Sequence, residues 1–201
     1  MLVIQWISEN YIELIAAALG LLAISLQIRQ NVWYWLVSII MVSMYIYVYI
    51  QSKLYADMSL QVYYLVVSFY GWYYWLHGGK QKDKQKSEAP VRKSPVKLKL
   101  ILLSISIVLF FFIAWILINF TDSDVPWWDS FTTSLSFVAT WMLAKKYIEN
   151  WLIWIVVDAT SVGIYIYKGL YPTTILFAVL TVLAFVGYFA WLKDMKKESA
   201  S

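Results

Sequence analysis

Between Leu100 and Ile118 only Ser104 and Ser106 are polar, and no residue is charged. Wound as an α-helix at about 1.5 Å per residue, such a run matches a hydrocarbon core about 30 Å thick. In hydrocarbon every backbone N–H and C=O must be paired within the segment, so the run folds as a helix. Apolar stretches of this kind recur along the whole chain, which is 62% hydrophobic and 14% charged. That composition excludes a soluble domain. It predicts an all-α integral membrane protein with seven transmembrane helices, over residues 11–28, 32–50, 54–76, 98–120, 127–143, 150–168 and 171–192. Glu9 and Glu13 stand where a cleavable leader would carry positive charge, so the first span is expected to be retained.

The basic residues are one-sided. With seven spans, alternate loops share a side of the membrane. One side collects Arg29, the linker residues from Lys80 to Lys99, Lys145, Lys146, Lys193, Lys196 and Lys197, fourteen of the sixteen Lys and Arg in all. The other side holds Lys53 and Lys168 beside Asp122, Asp124 and Asp129. Basic loops stay in the cytoplasm, which puts the N-terminus outside and the C-terminus inside a cell (inner) membrane. The net charge of +4 is therefore read as topology and not as affinity for nucleic acid.

Several chemistries are closed to the chain. It has no Cys and a single histidine, His77, so no zinc site, thiol catalysis or cofactor is expected. A membrane enzyme would need an interfacial cluster; Asp122, Asp124 and Asp129 are the nearest approach and lack a metal-ligand partner. A seven-helix retinal-type sensor would need a Lys in the last span, and none lies between Tyr171 and Leu192. Solute flux into liposomes separates a transporter from both.

The two halves resemble each other. Asn31 and Trp35 match Asn150 and Trp154 at one spacing, and Tyr45-Ile46-Tyr47 matches Tyr165-Ile166-Tyr167 one residue further on. Leu54-Tyr55 matches Leu170-Tyr171, while Phe69, Gly71, Trp75 and Leu76 match Phe185, Gly187, Trp191 and Leu192. Spans one to three thus repeat as spans five to seven, with span four between them, which predicts two parallel three-helix repeats joined by a central helix. The expected organisation is a first repeat over 1–77, a cytoplasmic linker over 78–97, a peripheral connecting helix over 98–120, a second repeat over 121–193 and a tail over 194–201. The linker is rich in Lys, Gln, Ser and Pro and is expected to be disordered. Transporters built from such repeats bind their solutes between the repeats near the midplane.

Asp158 lies about 12 Å along the helix from Asn150, near the centre of the bilayer. A carboxylate there costs roughly 2.5–3.5 kcal/mol on insertion scales and must face other helices or a water-filled cavity. Trp154, Asp158, Ser161 and Tyr165 fall on one helical face. Gln61, Tyr64, Ser68 and Trp72 do the same on the third span, Thr133 and Ser136 on the fifth, and Trp35 and Ser38 on the second. These are the candidate substrate-binding residues. A carboxylate among aromatic faces suits a cationic ring, each cation–π contact contributing about 0.5–2 kcal/mol. Gln61 both donates and accepts, which suits an amide or a sugar hydroxyl. A phosphorylated solute is expected to be poor, because nothing cationic faces the path between Trp35 and Tyr64. The plain alternatives are helix packing for Asp158, interhelical bonding for Gln61, and interfacial anchoring for Trp72, Trp75, Trp128, Trp151 and Trp191 near the span ends.

Several stretches carry a family resemblance: Leu54-Tyr55-Ala56 with Leu60-Gln61-Val62, Tyr70-Gly71-Trp72, Trp128-Asp129-Ser130, Ser136-Phe137-Val138-Ala139, Lys146-Tyr147-Ile148-Glu149-Asn150-Trp151 and Gly169-Leu170-Tyr171. They resemble the Pnu family of vitamin transporters, whose best-known members are PnuC-type nicotinamide riboside transporters. The resemblance implies a SWEET-like seven-helix fold, a homotrimer with one pathway per protomer, and facilitated diffusion of a vitamin. It implies trapping by phosphorylation in a separate cytoplasmic kinase and no ion coupling. Riboside members often carry an asparagine in the middle of the second and sixth spans, where this chain has Met41 and Asp158. That departure leaves nicotinamide riboside first and thiamine second among the implied substrates.

Overall fold

The computed structural model describes residues 11–51, 55–78 and 88–200. Glu9, Lys53, Leu54 and the linker lysines Lys80, Lys82, Lys84 and Lys86 lie outside them, as does the side chain of Glu13. Seven helices follow in order: α1 (Tyr11–Ile28), α2 (Trp33–Gln51), α3 (Tyr55–His77), α4 (Val96–Phe120), α5 (Pro126–Ala144), α6 (Asn150–Tyr167) and α7 (Tyr171–Ala200). Among the described residues, three helices, α4, α6 and α7, are long and apolar enough to cross a membrane by length and composition alone. The hydroxyls of Ser130, Thr132, Thr133, Ser134, Ser136 and Thr140 dilute the apolar character of α5. The chain divides into two compact units between Trp72 and Tyr73.

In the first unit α1 packs on α2 through a tight turn. Gln30 takes a positive φ of 55°, its N–H donates to Gln27 O (3.0 Å), and Asn31 N–H donates to Leu26 O (2.9 Å). This is the paired-bond ending that satisfies the last carbonyls of a helix. The Asn31 side chain then accepts from Trp33 N–H at 3.0 Å and opens α2. Trp35, fully buried, lies over Gly71 of α3; a Cβ at that glycine would overlap its indole.

The second unit repeats this construction. Lys146 takes φ 53°, Lys146 N–H donates to Leu143 O (2.9 Å) and Tyr147 N–H to Met142 O (2.9 Å). Trp151 lies over Gly187 of α7, where a Cβ would sit 2.5 Å from the indole Cη2. Gln30 and Lys146, Trp35 and Trp151, Gly71 and Gly187, and Trp75 and Trp191 are each 116 positions apart. The repeat therefore has one spacing, and the structural partner of Trp35 is Trp151 rather than Trp154. At that spacing the counterpart of Asp158 is Val42. Trp151 and Trp154 are one helical turn apart, so the sequence pattern alone accepts either.

The anchoring expected of the span-end tryptophans is also corrected. Trp75, Trp151 and Trp191 are 2%, 1% and 0% exposed and form one cluster, with ring centroids 6.1 Å apart for Trp75–Trp191 and 5.5 Å for Trp151–Trp191. The Trp75 indole N–H donates to Leu143 O at 3.3 Å. Trp128, by contrast, is exposed as an interfacial anchor would be. The glycine facing Trp151 opens the space that the buried indole fills.

Helix α4 behaves as a peripheral span. It packs on α5 and buries only Leu102, Ser106 and Ala114, leaving Leu100, Phe111, Phe112 and Trp115 more than half exposed. Leu102 joins Val138, Met142 and Tyr147 in the seam that holds α4 to the rest of the unit.

Of the linker expected to be disordered, residues 88–95 are built into the second unit. Ala89, Val91 and Ser94 are buried, and Arg92 bridges Tyr147 through Arg92 N–H to Lys146 O (3.1 Å) and Ile148 N–H to Arg92 O (3.0 Å). Ser94 N–H donates to both carboxylate oxygens of Glu149, at 3.2 and 3.1 Å, and Lys99 Nζ pairs with Glu149 at 2.9 Å. Burial alone would push the Glu149 carboxyl up; the Lys99 ammonium and the Ser94 N–H hold it below its ordinary value of 4.5. A carboxylate lowered on folding stabilises above its unfolded pKa, and that contribution is lost as pH falls through the folded value. Thermal melts in detergent from pH 6 down to pH 3 are therefore expected to fall more steeply for the native chain than for Glu149→Gln. Parallel melting curves would remove this role from Glu149.

Candidate functional site

Each unit has a polar face of its own, built from its own helices. In the first, α2 and α3 bring Ser38 and Ser68 together, with their hydroxyl oxygens 3.0 Å apart and Ser68 buried. Gln61, Tyr64 and Trp72 are half-buried along the same helix as Ser68. Trp35 is spent on covering Gly71, so its ring is a wedge between α2 and α3.

In the second unit the face of α6 carries the charge. Asp158 is 5% exposed, and among the described residues no hydrogen bond or ion pair reaches its carboxylate. Ser161 is buried one turn on, and its hydroxyl donates to Val157 O at 2.9 Å, which leaves its lone pairs to accept. Trp154, one turn before Asp158, has its indole N–H buried with no acceptor among the described residues. A buried donor without a partner is costly, and such groups concentrate where a ligand or water completes them. Tyr165 stacks on Phe177 of α7, with centroids 5.1 Å apart, which fixes its ring.

On α5 the hydroxyls turn back onto their own helix. Ser136 donates to Thr132 O (2.8 Å) and Thr140 to Ser136 O (2.8 Å), while Thr133 is half-buried. The sequence pattern missed Ser130 and Ser134, which are 0% and 1% exposed and lie on the neighbouring face. It also missed Asn150, fully buried, whose amide N–H donates to Tyr147 O (2.6 Å) and whose side-chain oxygen has no partner among the described residues. The signal available for Ser130 and Ser134 is their four-residue spacing, the repeat of small residues that lets helices approach. Among the described residues no group of three His, Cys, Asp or Glu could hold a metal ion.

A separate cavity of about 800 Å³ opens on the opposite face of α6, between Asp124 just before α5, Trp127 and Trp128 at its start, and Thr160, Gly163 and Tyr167. It does not include Asp158.

The model of the nicotinamide mononucleotide transporter family matches residues 10–193. The chain belongs to this family. It is similar to the nicotinamide riboside transporter PnuC of Escherichia coli, at 26% identity covering 95% of this chain and 89% of that protein. It is also similar to the nicotinamide riboside transporter PnuC of Neisseria mucosa, at 25% identity covering 95% of this chain and 75% of that protein. In fold it is similar to the crystal structure of the vitamin B3 transporter PnuC, with a TM-score of 0.74 at 24% identity, covering 98% of this chain and 86% of that one. The protein is thus an all-helical membrane transporter.

Proposed function

We propose that the chain carries nicotinamide riboside into the cell by facilitated diffusion, as a homotrimer in the inner membrane with its N-terminus outside, and that a cytoplasmic kinase traps the solute by phosphorylation. The observation that carries the reading is Asp158, a buried carboxylate with no partner among the described residues, on a helix that also presents the unpaired indole N–H of Trp154. A fixed cationic ring answers both needs: a charge for the carboxylate and an aromatic face and polar substituents for the indole. The names of the relatives narrow the cation to the riboside. The mononucleotide in the family's description is disfavoured on charge, because its phosphate would meet Asp158, and α6 has no Lys or Arg between Asn150 and Tyr167.

The test is uptake by proteoliposomes. Saturable riboside uptake is expected, with the mononucleotide at least about tenfold slower, since like-charge juxtaposition costs several kcal/mol. An imposed proton gradient is expected to leave the initial rate unchanged. Thiamine is the specific competitor, because Asp158 stands where the resemblance implies an asparagine. Thiamine uptake without riboside uptake would assign the site to thiamine, and flux of neither would overturn the substrate class.

A further inference from the structure

Residues 89–95 form a strap across the α5–α6 turn and the last turn of α3, and all but one of its bonds fall at the point where α6 begins. Ala89 N–H donates to Trp75 O (3.1 Å), and the Arg92 guanidinium lies over the ring of Tyr147 at 4.6 Å and near that of Tyr74 at 5.7 Å. Lys145 and Lys146 lie over Tyr74 and Trp75 at 4.5 and 4.7 Å, and Lys146 is 2% exposed. Glu149 is the knot: its carboxylate accepts twice from Ser94 N–H, pairs with Lys99, and immediately precedes α6. Three main-chain bonds, a charge-assisted pair and three buried side chains are a tie that opens with difficulty.

We propose that this strap stays clamped through the whole transport cycle, with Glu149 as a positioning residue that sets the depth and rotation of α6 and so of Trp154 and Asp158. Movement during transport falls elsewhere, and the start of α6 is a fixed point. The inference rests on the transport reading for its consequence and for the uptake and binding tests, while the hydrogen-exchange test is independent of it.

The chain has no cysteine, so a designed pair reports cleanly. Residues 92 and 147 are paired across the main-chain bridge, and backbones so paired lie about 4.8 Å apart, a separation that a disulfide can span. In Arg92→Cys/Tyr147→Cys, oxidation is expected to leave riboside uptake within twofold of the reduced protein. Loss of uptake on oxidation, recovered with reductant, would make the strap a moving gate and overturn the proposal. Should the reduced double variant be inactive, Glu149→Ala and Glu149→Gln replace it. Alanine is expected to weaken riboside binding about tenfold, and glutamine, which still accepts from Ser94 N–H, less than threefold. Equal binding by both, with only the melting temperature lowered, would leave Glu149 a stabilising residue without a positioning role. Hydrogen exchange of the native protein needs no substrate: the amides of Arg92 and Ile148 are expected to exchange as slowly as those inside α5 and α6. Fast exchange there overturns the clamp, whereas failure of native riboside uptake alongside slow exchange overturns only the substrate.

Discussion

Replacing Asp158 with leucine is expected to reduce riboside uptake about a hundredfold while raising the melting temperature. The two effects have one cause. The carboxylate is 5% exposed, lies in the middle of an apolar helix and has no partner among the described residues. On insertion scales such a group costs roughly 2.5–3.5 kcal/mol, and leucine removes that cost. Removing one partner of a buried charge pair costs about 2–5 kcal/mol of binding, which is where the hundredfold comes from. A residue that stabilised the fold by packing would show the reverse, with lower stability and uptake falling only in proportion to folded protein. Asp158→Asn keeps the hydrogen-bonding shape without the charge. Its expected loss is of similar size if the charge carries recognition and small if the group is only a polar contact.

Filling the glycine beneath Trp151 is expected to be the most damaging change to the fold. At Gly187 even a Cβ would lie 2.5 Å from the indole, and the indole also packs edge-to-face with Trp191, which in turn packs edge-to-face with Trp75. Gly187→Ala is expected to cost about 1–3 kcal/mol through overpacking, and Gly187→Leu to leave no folded protein. Truncating the partner instead, Trp151→Ala, should cost about 3–5 kcal/mol through the cavity left behind. Gly187→Ala combined with Trp151→Phe is expected to recover part of the loss, because the smaller ring vacates the space the new Cβ enters. Melting temperatures in detergent read the folded variants, and the yield of folded protein reads Gly187→Leu. Additive losses in the double variant would show that the two residues do not share one packing site. The same logic holds for Gly71 beneath Trp35 in the first unit.

The fold was legible because its main constraints are local. Hydrocarbon length sets the helices, and loops of Lys and Arg separate them; the central helix looked peripheral because it lacks a polar stripe, and most of its large side chains are indeed exposed. The repeat was legible in outline but not in register. Trp151 and Trp154 fall on the same side of α6, and the 116-residue spacing of the later matches together with the indole packing on Gly187 tells them apart. Burial of Trp75 and Trp191 was hidden for a related reason: a tryptophan near a span end reads as an interfacial anchor unless the glycine facing its neighbour is seen. The strap was hidden by its surroundings, since Ala89 and Val91 lie in a stretch whose composition is otherwise that of a solvated chain. Asp158 stood out in the sequence, because a charge in an apolar run is expensive wherever the rest of the protein lies.

The most direct test compares nicotinamide riboside with its reduced, uncharged dihydro form by calorimetric titration of the purified protein. The two differ little in shape, and only the former carries the ring charge. If Asp158 is the counter-ion of a cationic ring, the native protein binds the charged form at least about tenfold more tightly, and Asp158→Asn erases most of that preference. Equal binding of the two forms by the native protein would contradict the account, leaving shape and hydrogen bonding, not charge, as what the site recognises.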